Sequence, residues 1–370
     1  MSISMEEYYA RSTAKMFNII ENEDEKTQHD FFVSMRQLVN LPEIIESDQK
    51  YRRLDEDKKY PLIYNYYNWI KRLFPINSKV MDKMTELFPE QMVNTNDFKK
   101  IYYETMEKEY PFLHHKCIDF FYGESKQQVL MTHNWNVYKQ VYQFDENCFE
   151  YLLNNTTYGK IPVDVLSKNL PFKAFAINNS FEIGEFKVTQ IVINKILDDF
   201  DKEILGVYIL NEAPDYDYAF VNIPLEEGNK TIEDIIDYEF APNIKEVMRK
   251  IVSLLLYLCT SNKEVRYIEK KNGYEKNKEK YRKRVGIKCE EVGYILGNTI
   301  RQYKTKYITN DYAKAKEPSS SKRPHLRAGH FHHYWTGNGR TNLTVKFVDS
   351  VFVHGSPEKV VLHKVKKEKE

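Results

Sequence analysis

Cysteine is scarce in this chain of 370 residues, and the four that occur, Cys117, Cys148, Cys259 and Cys289, form no Cys-x-x-Cys pair. That excludes a zinc ribbon and a thioredoxin-like redox pair, and leaves buried free thiols as the expectation. Long apolar runs are missing too. The most apolar window, Ile251 to Cys259, is far shorter than the roughly 20 residues a helix needs to cross a bilayer. The first residues carry early acids and no cationic region ahead of an apolar core. They do not read as a secretory signal, so a cytoplasmic protein with no membrane partner is expected. Neither sign of charge is in excess: 55 Lys and Arg face 54 Asp and Glu, a net of +1. A uniformly basic nucleic-acid binder is excluded, and local patches become the question. There is no P-loop, no Rossmann glycine pattern, no nucleophile elbow and no His-Glu-x-x-His. An enzyme assignment has no positive signal, and no cofactor is expected.

What the chain does have is aromatic bulk, with 28 Tyr and 21 Phe supplying large burial per residue to a composition that is 42% hydrophobic. A folded protein of about two domains follows from that and from the length. The first 150 residues space large apolar groups helically, as at Phe31, Phe32, Met35 and Leu38, then Ile63, Tyr66, Tyr67 and Ile70. Polar breaks at Asn22 to Asp30 and Asn94 to Asp97 divide this region, and Asn96-Asp97 is the expected cap of a helix beginning near Phe98.

Between Lys160 and Leu225 β-branched runs take over, and strands are expected around Phe172 to Ala176, Val188 to Ile193, Leu205 to Leu210 and Tyr218 to Ile223. Turns fall at Asn178-Asn179, Gly184 and Pro214. Thr231 with Asp234 fits a capping box, and helices follow over Asn243 to Thr260 and Cys289 to Lys304, the latter interrupted by Gly297. The fold class is α+β: a helical N-terminal region, a central mainly antiparallel sheet with packed helices, and a C-terminal β-hairpin. The expected divisions are 1–155, 156–310, a linker at 311–324, and 325–370. Asn262 to Lys288 holds eleven Lys or Arg against four Glu. Such a run is a solvated face or a contact for RNA phosphates.

Ser321 to Arg340, SKRPHLRAGHFHHYWTGNGR, packs four histidines, three aromatics, four cations and three glycines into twenty positions. A strand over Gly329 to Trp335 would turn His330, His332 and Tyr334 one way and Phe331, His333 and Trp335 the other, with little difference in polarity between the faces. Asn338-Gly339 signals the turn, and Leu343, Val345 and Phe347 alternate with Thr344, Lys346 and Val348 in the returning strand. Pro324 biases Arg323 to extended backbone and brings Lys322, Arg323 and Arg327 toward the hairpin base. Four readings remain open on these residues. His325, His330 and His332 suit a metal, although the segment contains no Cys or carboxylate. Paired histidines with Arg327 or Lys322 suit phosphoryl chemistry. Trp335, Tyr334 and the cations suit a recognition surface for peptide or phosphate backbone. In the fourth, Tyr334 and Trp335 close a small core.

At these residues the chain resembles the type V-A anti-CRISPR family that blocks production of the CRISPR effector nuclease. The family's pattern is met by Lys322, Arg323, Pro324, His325, Arg327, Gly329, His330, His332, Tyr334, Trp335 and Gly337, and again by Phe352-Val353. Weaker similarity covers Ser253 to Tyr267, Gly293 to Tyr303 and Leu170 to Asn178. Two departures stand out: Phe331 replaces a Trp, and Ala328 stands where an Arg is common. The resemblance implies a binding role for those eleven residues, without metal or catalysis. It also implies that the protein recognises the nascent N-terminal segment of a target, lowers its messenger RNA during translation, and has access to RNA or the ribosome in a bacterial host cell.

Overall fold

Helical spacing in the first part of the chain produces helices where it was expected, and the strand-rich middle follows it. The computed structural model describes residues 22–38, 60–73, 75–183, 186–210, 218–226, 230–268, 273–310, 325–349 and 351–353. In chain order these form α1 (Glu25–Leu38), α2 (Leu62–Leu73), α3 (Pro75–Leu87), α4 (Thr95–Glu109), α5 (His115–Tyr138), β1 (Gln140–Phe144), α6 (Glu146–Asn154), β2 (Thr156–Thr157), α7 (Asp164–Asn169), β3 (Ala174–Ile177), β4 (Phe181–Ile183), β5 (Phe186–Val188), β6 (Gln190–Leu197), β7 (Glu203–Leu210) and β8 (Tyr218–Pro224). There follow α8 (Ile232–Glu239), α9 (Pro242–Cys259), β9 (Val265–Tyr267), α10 (Gly273–Arg284), β10 (Lys288–Val292), α11 (Tyr294–Asn310), β11 (His325–Arg327), β12 (Gly329–Thr336), β13 (Asn342–Val348) and β14 (Val351–Val353). The class is α+β.

The chain divides into two compact units, one of Met1–Val141, Phe172–Pro224 and Glu269–Cys289, the other of Tyr142–Pro171, Leu225–Ile268 and Glu290–Glu370. In the first, β3, β6, β7 and β8 form an antiparallel sheet in that order, with Phe175 opposite Ile193, Ile193 opposite Val207 and Val207 opposite Val221. β6 and β7 are buried along nearly their whole length, which is why their sequence reads as an apolar run and not as an alternation. Helix α5 packs on β3 and β6 and is itself contacted by α1, α2, α3 and α4. Its central position calls for apolar groups all round. Two polar groups of that core are paired within it: Asn134 exchanges bonds with the Val93 backbone at 2.9 and 3.0 Å, and the Trp135 indole donates to the Gln140 carbonyl at 3.1 Å.

Two helix starts in this unit differ from expectation, each for a local reason. Asp24 accepts the Thr27 N–H at 2.9 Å, so the polar stretch from Glu25 to Asp30 is the opening of α1 and not a break. Asn94, not Asn96-Asp97, occupies the cap of α4. Its side chain is taken by the Leu197 N–H at 3.2 Å, while Asn96 donates to Asp201 at 3.0 Å. The turns expected at Gly184 and Pro214 lie outside the described residues, as does the linker at 311–324.

The second unit is organised on α9, whose residues from Ile251 to Cys259 are all buried and which packs on α6, α7, α8 and β13. The capping box of α8 forms as the sequence indicates, with the Asp234 N–H donating to the Thr231 hydroxyl at 3.2 Å and the Thr231 N–H to the Asp234 carboxylate at 2.9 Å. The helix expected from Cys289 is instead strand β10 followed by α11, with Gly293 at φ +71° between them. Glu264 caps α11 from outside by accepting the Ile295 and Leu296 N–H groups at 2.7 and 3.1 Å. Gly297 does not break α11. It makes room for Asp145, whose Oδ1 would lie 1.9 Å from a Cβ there. That carboxylate caps α6 through the Asn147 and Cys148 N–H groups at 3.0 and 3.3 Å and accepts from Arg301 at 3.0 Å.

Candidate functional site: an exposed β-hairpin

The C-terminal hairpin forms with the expected strands. β12 and β13 pair antiparallel from His330 opposite Val348 to Thr336 opposite Asn342, with Phe331 facing Phe347, His333 facing Val345 and Trp335 facing Leu343. The loop is longer than a two-residue turn: Gly337 enters at φ +83° and a single 3-10 turn runs over Asn338–Arg340. Gly329 opens β12 in a space that admits no side chain, since a Cβ would fall 2.7 Å from the Phe347 ring and 2.9 Å from the Tyr151 hydroxyl. That hydroxyl accepts the Gly329 N–H at 2.7 Å.

The two faces differ sharply, contrary to the expectation of similar polarity. Phe331, Leu343, Val345 and Phe347 are buried, and the Phe347 ring lies 5.0 Å from Phe331, 5.5 Å from Tyr257 and 6.5 Å from Tyr151. The opposite face presents His332 and Tyr334, exposed, with ring centroids 4.4 Å apart, beside a half-buried His330 and exposed Lys346. Trp335, at the far end of the buried face, stays 45% exposed, and Tyr334 is 41% exposed. Tyr334 and Trp335 therefore do not close a core, and Phe331 with Phe347 does. The exchange of a family Trp for Phe331 is thus a change beneath the surface, whereas Ala328 is exposed. Burial, with His332 adjacent, holds the His333 imidazole below its ordinary pKa, so His333 favours the neutral form.

The eleven candidate residues are only partly brought together. Gly329, His330, His332, Tyr334 and Trp335 share β12, and Gly337 begins its turn. His325 and Arg327 lie on β11, which pairs with β14 so that His325 faces Val353 and Arg327 faces Val351. Lys322, Arg323 and Pro324 lie outside the described residues. Among the described residues no group of three or more His, Cys, Asp or Glu is placed to hold a metal ion.

Sequence reasoning missed the residues that hold this hairpin. β2 pairs parallel with its start, Thr156 to Gly329 and Thr157 to His330. Asn262 brackets Phe347, accepting its N–H at 3.0 Å and donating to its carbonyl at 2.9 Å. Asn169 donates to the Leu343 carbonyl at 3.2 Å, and the Ser261 N–H to the Val345 carbonyl at 2.9 Å. A two-residue strand and single Asn side chains have no periodicity to find. Two hollows adjoin β2 and share Thr157 and Gly159. One, of about 340 Å³, is bounded also by Ala328, His330 and Phe331, and the other, of about 840 Å³, runs past Arg249 and Lys250. Arg249 is held there by Glu233 and Asp237 at 2.8 and 2.7 Å, so its charge is already compensated.

The sequence profile of the anti-CRISPR type V subtype A2 (AcrVA2-like) family matches residues 142–355, more than half of the chain and including every described element of the hairpin and its supports. A solved structure described as the crystal structure of AcrVA2 is similar over 78% of this chain and 97% of its own, with a TM-score of 0.52 and 15% identity, a likeness of fold. No protein of curated function matches the sequence.

Proposed function

We propose that this chain, which belongs to the anti-CRISPR type V subtype A2 family, recognises a polypeptide during its translation and lowers production of that protein. The target to which the resemblance points is the type V-A effector nuclease, together with its messenger RNA, in the cytoplasm of a bacterial host. The observation that carries the reading is the hairpin: His332 and Tyr334 are exposed on its outer face and Trp335 at the open end of its inner face, on a strand fixed by Phe331 and Phe347. Rigid exposed aromatics supply contact area at low entropic cost, and an unfolded nascent segment is extended enough to lie along such a strand. No carboxylate lies within Gly329 to Val348 to orient an imidazole as a general base, which favours recognition over catalysis.

The test is co-expression with a tagged type V-A effector, following effector protein and messenger RNA. Loss of both with the wild type and recovery with Trp335→Ala is the expected result. Unchanged levels with the wild type remove this target, and silencing by Trp335→Ala equal to wild type removes the hairpin from the mechanism.

A second reading is supported by α10, where Lys276, Lys280, Lys283 and Arg284 are exposed and Glu279 pairs with Lys283 at 2.9 Å. These cations suit RNA phosphates of a messenger or ribosome, with affinity falling steeply as salt rises. If the protein were instead an RNA nuclease, His330→Ala with His332→Ala would abolish cleavage of a labelled RNA and spare its affinity.

A further inference from the structure

The two edges of the hairpin are treated differently. Along β13 the carbonyls of Leu343, Val345 and Phe347 accept from Asn169, Ser261 and Asn262, and the Phe347 N–H also donates to Asn262. In an antiparallel ladder the N–H and C=O of one residue point the same way, the direction alternates along the strand, and facing residues share the same kind of position. Groups that point outward at Leu343, Val345 and Phe347 therefore point outward, on the opposite edge, at their partners Trp335, His333 and Phe331. Gly329 fits this pattern, sending its N–H to Tyr151. On that edge β2 reaches only Gly329 and His330. Beyond it, the backbones of His333 and Trp335 meet no partner among the described residues.

We infer that this bare edge of β12 is a docking strand for an extended acidic peptide, which adds to the sheet in line with β2. The inference rests on the reading that the hairpin recognises a polypeptide, and it specifies how. Unpaired strand edges are normally blunted because they invite pairing, and here one edge is capped at each outward position of β13 while the other, among the described residues, is bare beyond His330. The charge of the partner follows from the composition of the hairpin: Gly329 to Val348 contains Arg340 and Lys346, and no Asp or Glu. The incoming side chains alternate, one set beside Trp335 and the other beside His332 and Tyr334, so apolar residues interleaved with carboxylates fit best. Room exists where β2 ends, since the smaller hollow opens there and a Cβ on Gly159 would meet nothing within 4 Å.

The experiment uses the full chain and a labelled synthetic seven-residue peptide alternating valine with glutamate, read by fluorescence anisotropy. Two N-methylated versions are compared, each methylated on one alternate set of amides. The expected result is binding of the unmodified peptide, loss of at least about tenfold in affinity for one methylated version, and little change for the other, because only one set of amides faces the edge. A lysine-for-glutamate peptide binds at least about tenfold more weakly. His333→Pro removes an outward N–H without touching the β13 ladder and weakens binding in the same way, with circular dichroism confirming its fold. Absent binding, or equal effects of the two methylations, overturns the inference. So does equal affinity for the lysine peptide. Dimerisation abolished by His333→Pro, or binding seen only after removal of residues 354–370, gives the edge to a second copy or to the chain's own end and also overturns it. If peptide pairing fails while co-expression still silences the target, the edge is wrong and the functional reading stands. If silencing fails as well, both fall.

Discussion

Acidification should weaken this protein through His133, and the size of the effect follows from its surroundings. His133 on α5 is 2% exposed, and neither ring nitrogen has a hydrogen-bond partner among the described residues. Burial, and then the charge of Lys71, push its pKa from the ordinary 6.5 down to about 4. In the unfolded chain the same imidazole titrates near its ordinary value. Between the two values the unfolded state binds a proton that the native state refuses. Stability is therefore fully present above pH 6.5, declines as pH falls through that value, and the loss is complete near pH 4. Each tenfold difference in proton affinity between the two states is worth about 1.4 kcal/mol, so the full loss is about 3 kcal/mol, of which about 2 kcal/mol has gone by pH 5. Urea unfolding of the wild type and of His133→Leu at pH 7 and pH 5 reads this directly. Other groups contribute equally to both proteins, so the drop between the two pH values should be about 2 kcal/mol smaller in the variant. Equal drops would refute the reasoning, because they would mean that the native protein accommodates the imidazolium.

The hairpin separates stability from contact. Phe331→Ala should cost about 3 to 5 kcal/mol in denaturant unfolding, whereas Trp335→Ala and Tyr334→Ala should stay within about 0.5 kcal/mol of wild type; the opposite order would show that the buried face has been misassigned. Asn262→Ala strips both backbone partners from Phe347 and should destabilise by about 1 to 3 kcal/mol, measured the same way, with no change meaning that water replaces them freely. Gly297→Ala drives a methyl into Asp145 and should cost about 1 to 3 kcal/mol. In the double variant Asp145→Ala with Gly297→Ala the losses should be less than additive, and strict additivity in the unfolding free energies would deny the clash.

Much of the fold was legible because its periods were unmixed. The strands β6 to β8 announced themselves through β-branched runs, and the capping box of α8 through Thr231 and Asp234. The start of α11 was misread because Val292, Ile295, Leu296 and Ile300 keep helical spacing across a strand-to-helix junction. The break there is made by one left-handed glycine and by Glu264, a cap supplied from about thirty residues upstream. The polarity of the hairpin was illegible within β12, where Phe, His, Tyr and Trp alternate with little contrast. It resides in β13, where Leu343, Val345 and Phe347 alternate with Thr344, Lys346 and Val348, and the register carries it across. The supports at Tyr151, Thr156, Asn169 and Asn262 could not be read at all, because each acts through one or two hydrogen bonds or a two-residue pairing made far along the chain.

Asp145 joins the start of α6 to α11, and Tyr151 on the same helix grips the first residue of β12. The groups that anchor the strand thus come from a segment well apart from those that it displays. Such a division of labour favours adaptation: positions 332, 334 and 335 are open to replacement while the anchorage stays put. Under the recognition role proposed above, exchanging a few outward side chains would alter what is bound, at little cost to the scaffold that carries them.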